Sequence, residues 1–212
     1  IKIKNYCDND NIEIHKSRIL IMVSGGLDSI VLLHALQMNR EKYNFHIGVL
    51  HVNYISHCNS KKMYNFCKDE ASRYKCDFYI HKEKISIKTN FESKARSVRY
   101  KFANSIAKNY KYDFIFTAHH KNDQIETIYM NRYKKTDWVS LIGIRESYGK
   151  IRRPLLSIEK KRINSFAIQN QLKWISDPTN QDNSFLRNRI RMEIMKNKSI
   201  KEFDKLFLLK KK

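Results

Sequence analysis

Six consecutive residues, Ser24-Gly25-Gly26-Leu27-Asp28-Ser29, carry the strongest chemical signal in this sequence. They follow an apolar run at 19–23 and open a helix-forming stretch at 30–38. Two of the chain's five glycines stand side by side there, with a serine at either end. Adjacent glycines let the backbone turn sharply, so that successive N–H groups point into one concavity. The N-terminus of the following helix adds its positive dipole. That combination cradles phosphates. It is not a Walker A loop, because no lysine precedes the closing Ser29. The plainer alternative is a glycine-rich turn between a strand and a helix.

A second cluster, Thr117-Ala118-His119-His120-Lys121-Asn122-Asp123-Gln124-Ile125-Glu126-Thr127, runs from an apolar stretch into a helix. At helical spacing Ile125, Ile128 and Tyr129 form one stripe, and Asp123, Glu126, Thr127 and Met130 lie opposite. Two carboxylates and a hydroxyl then share a face. Acids in a first turn also suit the helix dipole, and Asp123 and Glu126 have capping-box spacing. The stretch alone therefore leaves chemistry and capping both open. A third signal lies in the helical stretch 92–109, where Ala95, Val98, Phe102 and Ile106 make an apolar stripe with Arg99 inside it. A guanidinium rarely enters such a stripe without an anion to meet it; the alternative is a side chain that snorkels to solvent. Arg96 is more easily solvated, with Glu92 within i,i+4 reach. Arg187 and Arg191 are i,i+4 neighbours on a basic helical stretch at 185–198, and are candidate phosphate contacts or simply a solvated face.

Four apolar runs, 19–23, 45–52, 78–81 and 114–118, read as the strands that must position these groups. The first and last are almost continuously apolar, as buried parallel strands are. Helical stretches at 30–38, 60–74, 92–109 and about 122–132 separate or follow them. The alternation predicts an α/β fold, a parallel sheet with helices on both faces, whose ligands bind beyond the C-terminal strand ends. Past residue 135 the pattern weakens to short apolar pieces at 138–144 and 151–156, a helix at 157–169 with Ser157 as N-cap, and a loop at 175–183. This divides the chain into an N-terminal extension at 1–16, a main domain at 17–157 and a small C-terminal helical extension at 158–212.

The chain has 212 residues, 42% hydrophobic and 30% charged, which excludes a disordered or collagen-like class. Lys and Arg number 42 against 21 Asp and Glu, a net charge of +21. An AT-rich coding bias contributes to that excess, yet the resulting field attracts polyanions, nucleic acid first. The cysteines at 7, 58, 67 and 76 form no C-x-x-C pair, which argues against a zinc or redox site and for thiols in a reducing compartment. No apolar run approaches a membrane span, and the first residues lack a signal peptide's apolar stretch. The expected location is a bacterial cytoplasm, or an organelle's matrix or stroma.

Taken together, the motifs resemble the tRNA(Ile)-lysidine synthases, of the PP-loop ATP pyrophosphatase family. The resemblance rests on the loop at 24–29, His51-Val52-Asn53, Ala95-Arg96-x-x-Arg99-Tyr100, and Thr117-Ala118-His119-His120 with Asp123-Gln124-x-Glu126-Thr127. It continues through Gly143-Ile144, Arg153-Pro154-Leu155-Leu156, Trp174 with Asp177 and Asn180, and Arg187-Asn188-x-x-Arg191, covering about 17–195. The chain departs from the family pattern at Asn122, where a second aspartate is usual, and at Tyr54-Ile55-Ser56, where a histidine and then a basic residue are usual. It also stops before the C-terminal domains that many members carry.

The resemblance implies a Rossmann-like PP-loop ATPase fold and an ATP-dependent ligase. Such an enzyme joins L-lysine to C2 of the wobble cytidine of the CAU-anticodon isoleucine tRNA through an adenylated intermediate, releasing AMP and pyrophosphate. By the same resemblance Ser24, Gly25, Gly26, Leu27, Asp28 and Ser29 bind ATP, and Asp28 holds Mg2+. Asp28, Arg99, His119 and Asp123 are catalytic, Glu126 binds the lysine ammonium, and Arg187 and Arg191 bind tRNA. The expected partners are that tRNA, L-lysine and, in a homodimer, a second copy, with no membrane. Other readings are a 2-thiocytidine synthase, which would need cysteines for sulfur or a cluster, a glutamine-hydrolysing amidotransferase, which would need a second domain, and a non-catalytic tRNA-binding relic.

Overall fold

The computed structural model describes residues 14–55, 59–84, 91–133 and 143–176. They belong to two compact units, one holding 14–120 with 146–176, the other 121–133 with 143–145. The first contains strands β1 (Arg18–Met22), β2 (His46–Tyr54), β3 (Asp77–Glu83), β4 (Phe114–Phe116), β5 (Ser147–Tyr148) and β6 (Ile151–Arg152). Its helices are α1 (Leu27–Gln37), α2 (Arg40–Tyr43), α3 (Ser60–Arg73), α4 (Phe91–Asn109) and α6 (Lys160–Gln169). Helix α5 (Lys121–Tyr133) belongs to the second.

The strands form one sheet in the order β3-β2-β1-β4-β6-β5. Pairing is parallel up to β6, with Ile19 opposite both Ile47 and Phe114. The sheet departs from the expected all-parallel one at an edge, where β5 and β6 form an antiparallel hairpin. Chain order reverses between β1 and β4, and in open α/β sheets ligands bind beyond the strand ends at such a switch.

Alternation along β1 builds two cores. Ile19, Ile21 and Val23 face one side, with α1, α3 and α6, while Leu20 faces the other, with Ala103 and Ala107 of α4. Helix α1 is apolar nearly all round because it lies between the sheet and α6, whose Ile163 and Ala167 are buried in the same core. Gly48 of β2 is required by packing: a Cβ there would come 2.1 Å from the Tyr112 hydroxyl oxygen.

Several element bounds differ from the sequence reading, each for a local reason. Helix α1 starts at Leu27 rather than 30, so Leu27, Asp28 and Ser29 already form its first turn. Helix α6 starts at Lys160 with Glu159 as N-cap, so Ser157 is not the cap. Residues 153–158 are spent instead on turns closed by Leu156 N–H to the Arg153 carbonyl and Ile158 N–H to the Leu155 carbonyl. The apolar piece at 151–156 yields only a two-residue strand, since Pro154 cannot donate to a ladder. Residues 1–13, Cys58, 138–142, Asp177, Asn180, Arg187, Arg191 and the basic stretch at 185–198 lie outside the described residues.

Candidate functional site

Strand β1 delivers the chain at its C-terminal end to the loop 24–29. Gly25 turns it with φ +88°, a conformation that favours glycine, and a Cβ there would sit 3.3 Å from the Cys67 sulfur. The two serines brace the loop from within. Ser29 Oγ donates to the Gly26 carbonyl at 2.9 Å and accepts from Ser24 N–H at 3.2 Å, and the two hydroxyls lie 3.2 Å apart. The N-cap of α1 is Gly26, in extended conformation and with no side-chain cap bond. The amides at the start of α1 are therefore presented by backbone alone, the arrangement that binds anionic oxygens.

Histidine 51 fixes the strand beneath this loop. Its Nδ1 donates to the Val23 carbonyl at 2.9 Å, one residue before Ser24. Burial holds its pKa below the usual histidine range, and the bond to Val23 offsets this only in part. The ring is therefore a neutral brace.

The carboxylate of Asp28 faces Lys160 and His120. Lys160 Nζ lies 2.6 and 2.7 Å from its two oxygens, and His120 Nε2 is 3.7 Å from Oδ1. The sequence reading missed Lys160, which stands 132 positions away and enters through the packing of α6 on α1. At the other side of the loop, Ile175 N–H donates to the Gly25 carbonyl at 2.9 Å. Among the described residues no group of three His, Cys, Asp or Glu side chains could hold a metal ion. Mg2+ usually takes one or two carboxylates plus phosphate oxygens. Among the described residues, the Asp28 carboxylate fits an ion carried in on a nucleotide and not a dedicated metal cage.

Beyond β4, Thr117, His119 and Arg96 form a chain of contacts. Arg96 Nη1 lies 3.3 Å from His119 Nε2, and His119 Nδ1 lies 2.8 Å from Thr117 Oγ1. A guanidinium only donates, so Nε2 accepts and Nδ1 carries the proton toward Thr117. Arg96 is exposed, as expected of the more easily solvated arginine, and from there reaches His119; it also lies 4.9 Å over the Tyr100 ring. Arg99, the one expected to meet an anion, is half-buried and turns its Nε to the Ala95 carbonyl at 3.3 Å. The Tyr54 hydroxyl donates to that same carbonyl at 2.8 Å, and burial pushes its pKa up to about 12, so it stays a donor. Tyr54, a departure from the family pattern, therefore anchors the helix that carries both arginines.

In the second unit α5 begins at Lys121, which puts Asp123 already inside the first turn. A capping box would need Asp123 itself as N-cap, so that alternative falls away. Asp123 is half-buried, and its carbonyl accepts from Thr127 Oγ1 at 2.8 Å. Glu126 is only 3% exposed, a depth at which a carboxylate needs a cationic or donor partner. Gln124 Oε1 accepts from the Ile144 N–H, and Gly143 takes φ +70° beside it. These contacts tie the Gly143-Ile144 segment to α5.

A model of the PP-loop domain matches residues 1–198. The tRNA(Ile)-lysidine synthase of Thermosipho africanus is 34% identical over 211 residues, spanning 97% of this chain and 48% of that protein. That of Clostridium tetani is 35% identical, over 84% of this chain and 40% of its own. The chain thus spans about half the length of the curated relatives it matches, or less. Among solved structures, the U34-tRNA thiolase NcsA from Methanococcus maripaludis superposes with a TM-score of 0.76 at 18% identity, covering 95% of this chain and 76% of that one. That likeness shows the fold alone. The sequence, the loop geometry and the family match converge: the chain belongs to the PP-loop domain family and is related, at 30–36% identity, to tRNA(Ile)-lysidine synthases.

Proposed function

We propose that this chain ligates L-lysine to C2 of the wobble cytidine in the CAU-anticodon isoleucine tRNA, using ATP. The observation that carries the reading is the loop 24–29, set at the C-terminal end of central strand β1 and opening α1 through an uncapped glycine. The family match supports ATP as the nucleotide, and the curated relatives support the tRNA and lysine.

The chemistry runs in two displacements. The C2 carbonyl oxygen of cytosine attacks the α-phosphorus of ATP, and pyrophosphate leaves. That oxygen, now bonded to AMP, is a good leaving group, and C2 becomes electrophilic. The lysine ε-amine attacks C2, the C–O bond breaks and AMP departs. Loop amides with Ser24 and Ser29 hold the phosphates through the first step. Magnesium, bound with the nucleotide at Asp28, would supply further charge neutralisation there. Arg99 and His119, with Arg96 beside His119, balance charge as the phosphate bond breaks. Free lysine has a pKa of about 10.4, so its amine must shed a proton before attack. Asp123 takes that proton or orients the amine, and Glu126 holds the lysine ammonium. Arg187 and Arg191 contribute to tRNA binding.

A sulfur-transfer reading, raised by the likeness to a tRNA thiolase, finds no support in the described thiols. Burial pushes Cys67 up to about 12 and Cys76 to about 11, so neither is a thiolate at neutral pH. The test of the ATP half-reaction is Asp28→Ala, assayed for pyrophosphate release with tRNA present and for tRNA retention on a filter. Pyrophosphate release is lost while retention stays within about twofold, since tRNA is held by a distributed basic surface. Normal ATP turnover in the variant would sink the assignment of the loop.

A further inference from the structure

We propose that Lys160 is the phosphate-gripping lysine of the loop 24–29, parked on Asp28 and transferred to the β and γ phosphates when ATP binds; this rests on the reading of the loop as the nucleotide site. A Walker A loop carries its own lysine, which reaches the β and γ phosphates. Here the loop has none. The structure brings one in from the first turn of α6, with Nζ 2.6 and 2.7 Å from the two Asp28 oxygens.

The placement of Lys160 breaks a helix rule. The first turn of α6 contains Lys160, Lys161 and Arg162 and no acid. Cations at a helix N-terminus oppose the dipole, by a few tenths to about 1 kcal/mol each at exposed sites. The N-cap Glu159 meets the dipole in part, and Asp28 meets the Lys160 ammonium itself. The segment that follows the residue is anchored at two places. Ile163 and Ala167 fix α6 against α1 in the core, and Ile175 N–H holds the Gly25 carbonyl. The segment 160–175 therefore touches the loop at both ends.

Charge makes the transfer favourable. Asp28 stands in the first turn of α1, where phosphates would lie, and a bare carboxylate there repels a triphosphate. Lys160 cancels that charge before ATP arrives. A triphosphate, more highly charged than one carboxylate, then draws the ammonium, whose flexible four-carbon stem allows the small move. AMP leaves no phosphate at the β and γ positions, so Lys160 should discriminate between the two nucleotides.

The test is calorimetric titration of the chain with ATP and, separately, AMP, with Mg2+ present at the same concentration in both. For Lys160→Ala, ATP affinity falls roughly 10- to 100-fold, the range for losing a charge-assisted contact, and AMP affinity changes less than about twofold. Lys160→Arg recovers most of the ATP affinity, and Lys161→Ala on the adjacent exposed position changes neither. Should Lys160→Ala fold poorly, Lys160→Met keeps the aliphatic stem and removes the charge. Equal losses for ATP and AMP would show a merely structural role, and unchanged ATP affinity would remove Lys160 from phosphate binding; either overturns the proposal while leaving the nucleotide site standing. Wild-type chain that binds no ATP would overturn both.

Discussion

Asp123 and Glu126 differ in depth. Asp123 is half-buried in the first turn of α5, while Glu126, one turn further on, is almost wholly buried. If Glu126 holds the lysine ammonium, Glu126→Gln loses a charge-assisted contact of about 1.5–3 kcal/mol, roughly 10- to 150-fold. The loss falls on the apparent KM for lysine, with AMP-tRNA still forming when lysine is left out. Asp123→Asn, beside the already neutral Asn122, abolishes both steps. Equal loss of adenylation and lysine transfer in Glu126→Gln would remove that carboxylate from lysine binding. The residues of the loop were legible because glycines and serines act within six positions of one another. Lys160 was not, because nothing local links it to Asp28. For Arg96 and Arg99, periodicity located the stripe, and Arg96 is exposed as expected, but a long side chain's reach from α4 to His119 is not a property of periodicity.

Elements hold these groups in place through a few buried polar braces, and His51 is the one most exposed to test by pH. Burial lowers its pKa below the ordinary 6.5, and half-buried His34 is lowered chiefly by burial too. Both therefore take up protons more readily in the unfolded chain. Their contribution to stability is complete above about pH 6.5 and is lost as pH falls from there toward the folded-state values. The urea midpoint should be flat from about pH 8 to 7 and decline toward about pH 5, and His51→Gln should make that decline shallower. A midpoint that rises on acidification through this window would contradict the neutral-brace reading. Strands β1 to β4 and the helices between them were legible because apolar runs and helical periodicity alternate. The β5–β6 hairpin was not, since Ser147 and Tyr148 are exposed and carry no apolar pattern. The start of α6 was missed because Ser157, a good capping residue, is used in a turn that brings Leu155 into the core.

At the scale of the whole molecule the net charge of +21 governs. Lysine and arginine contacts to phosphates release counterions, so log K for tRNA should fall steeply and linearly with log salt. Filter binding across about 50 to 200 mM salt should show a loss of at least ~100-fold. A flat response would argue against a polyanion as partner. Among the described residues no helix is long and apolar enough to cross a membrane. The basic character was legible from composition alone. The role of Arg187 and Arg191 was not, because they carry no periodic signal that distinguishes a phosphate contact from a solvated helix face.

The central claim is lysine transfer, and one incubation tests it most directly: the chain with ATP, Mg2+, radiolabelled L-lysine and the CAU-anticodon isoleucine tRNA transcript, beside a transcript of different anticodon. The label should enter the CAU transcript alone, at its wobble cytidine, with AMP and pyrophosphate released one for one. ATP and tRNA binding without any AMP, pyrophosphate or labelled tRNA would contradict the ligase reading and identify the chain as a tRNA-binding relic.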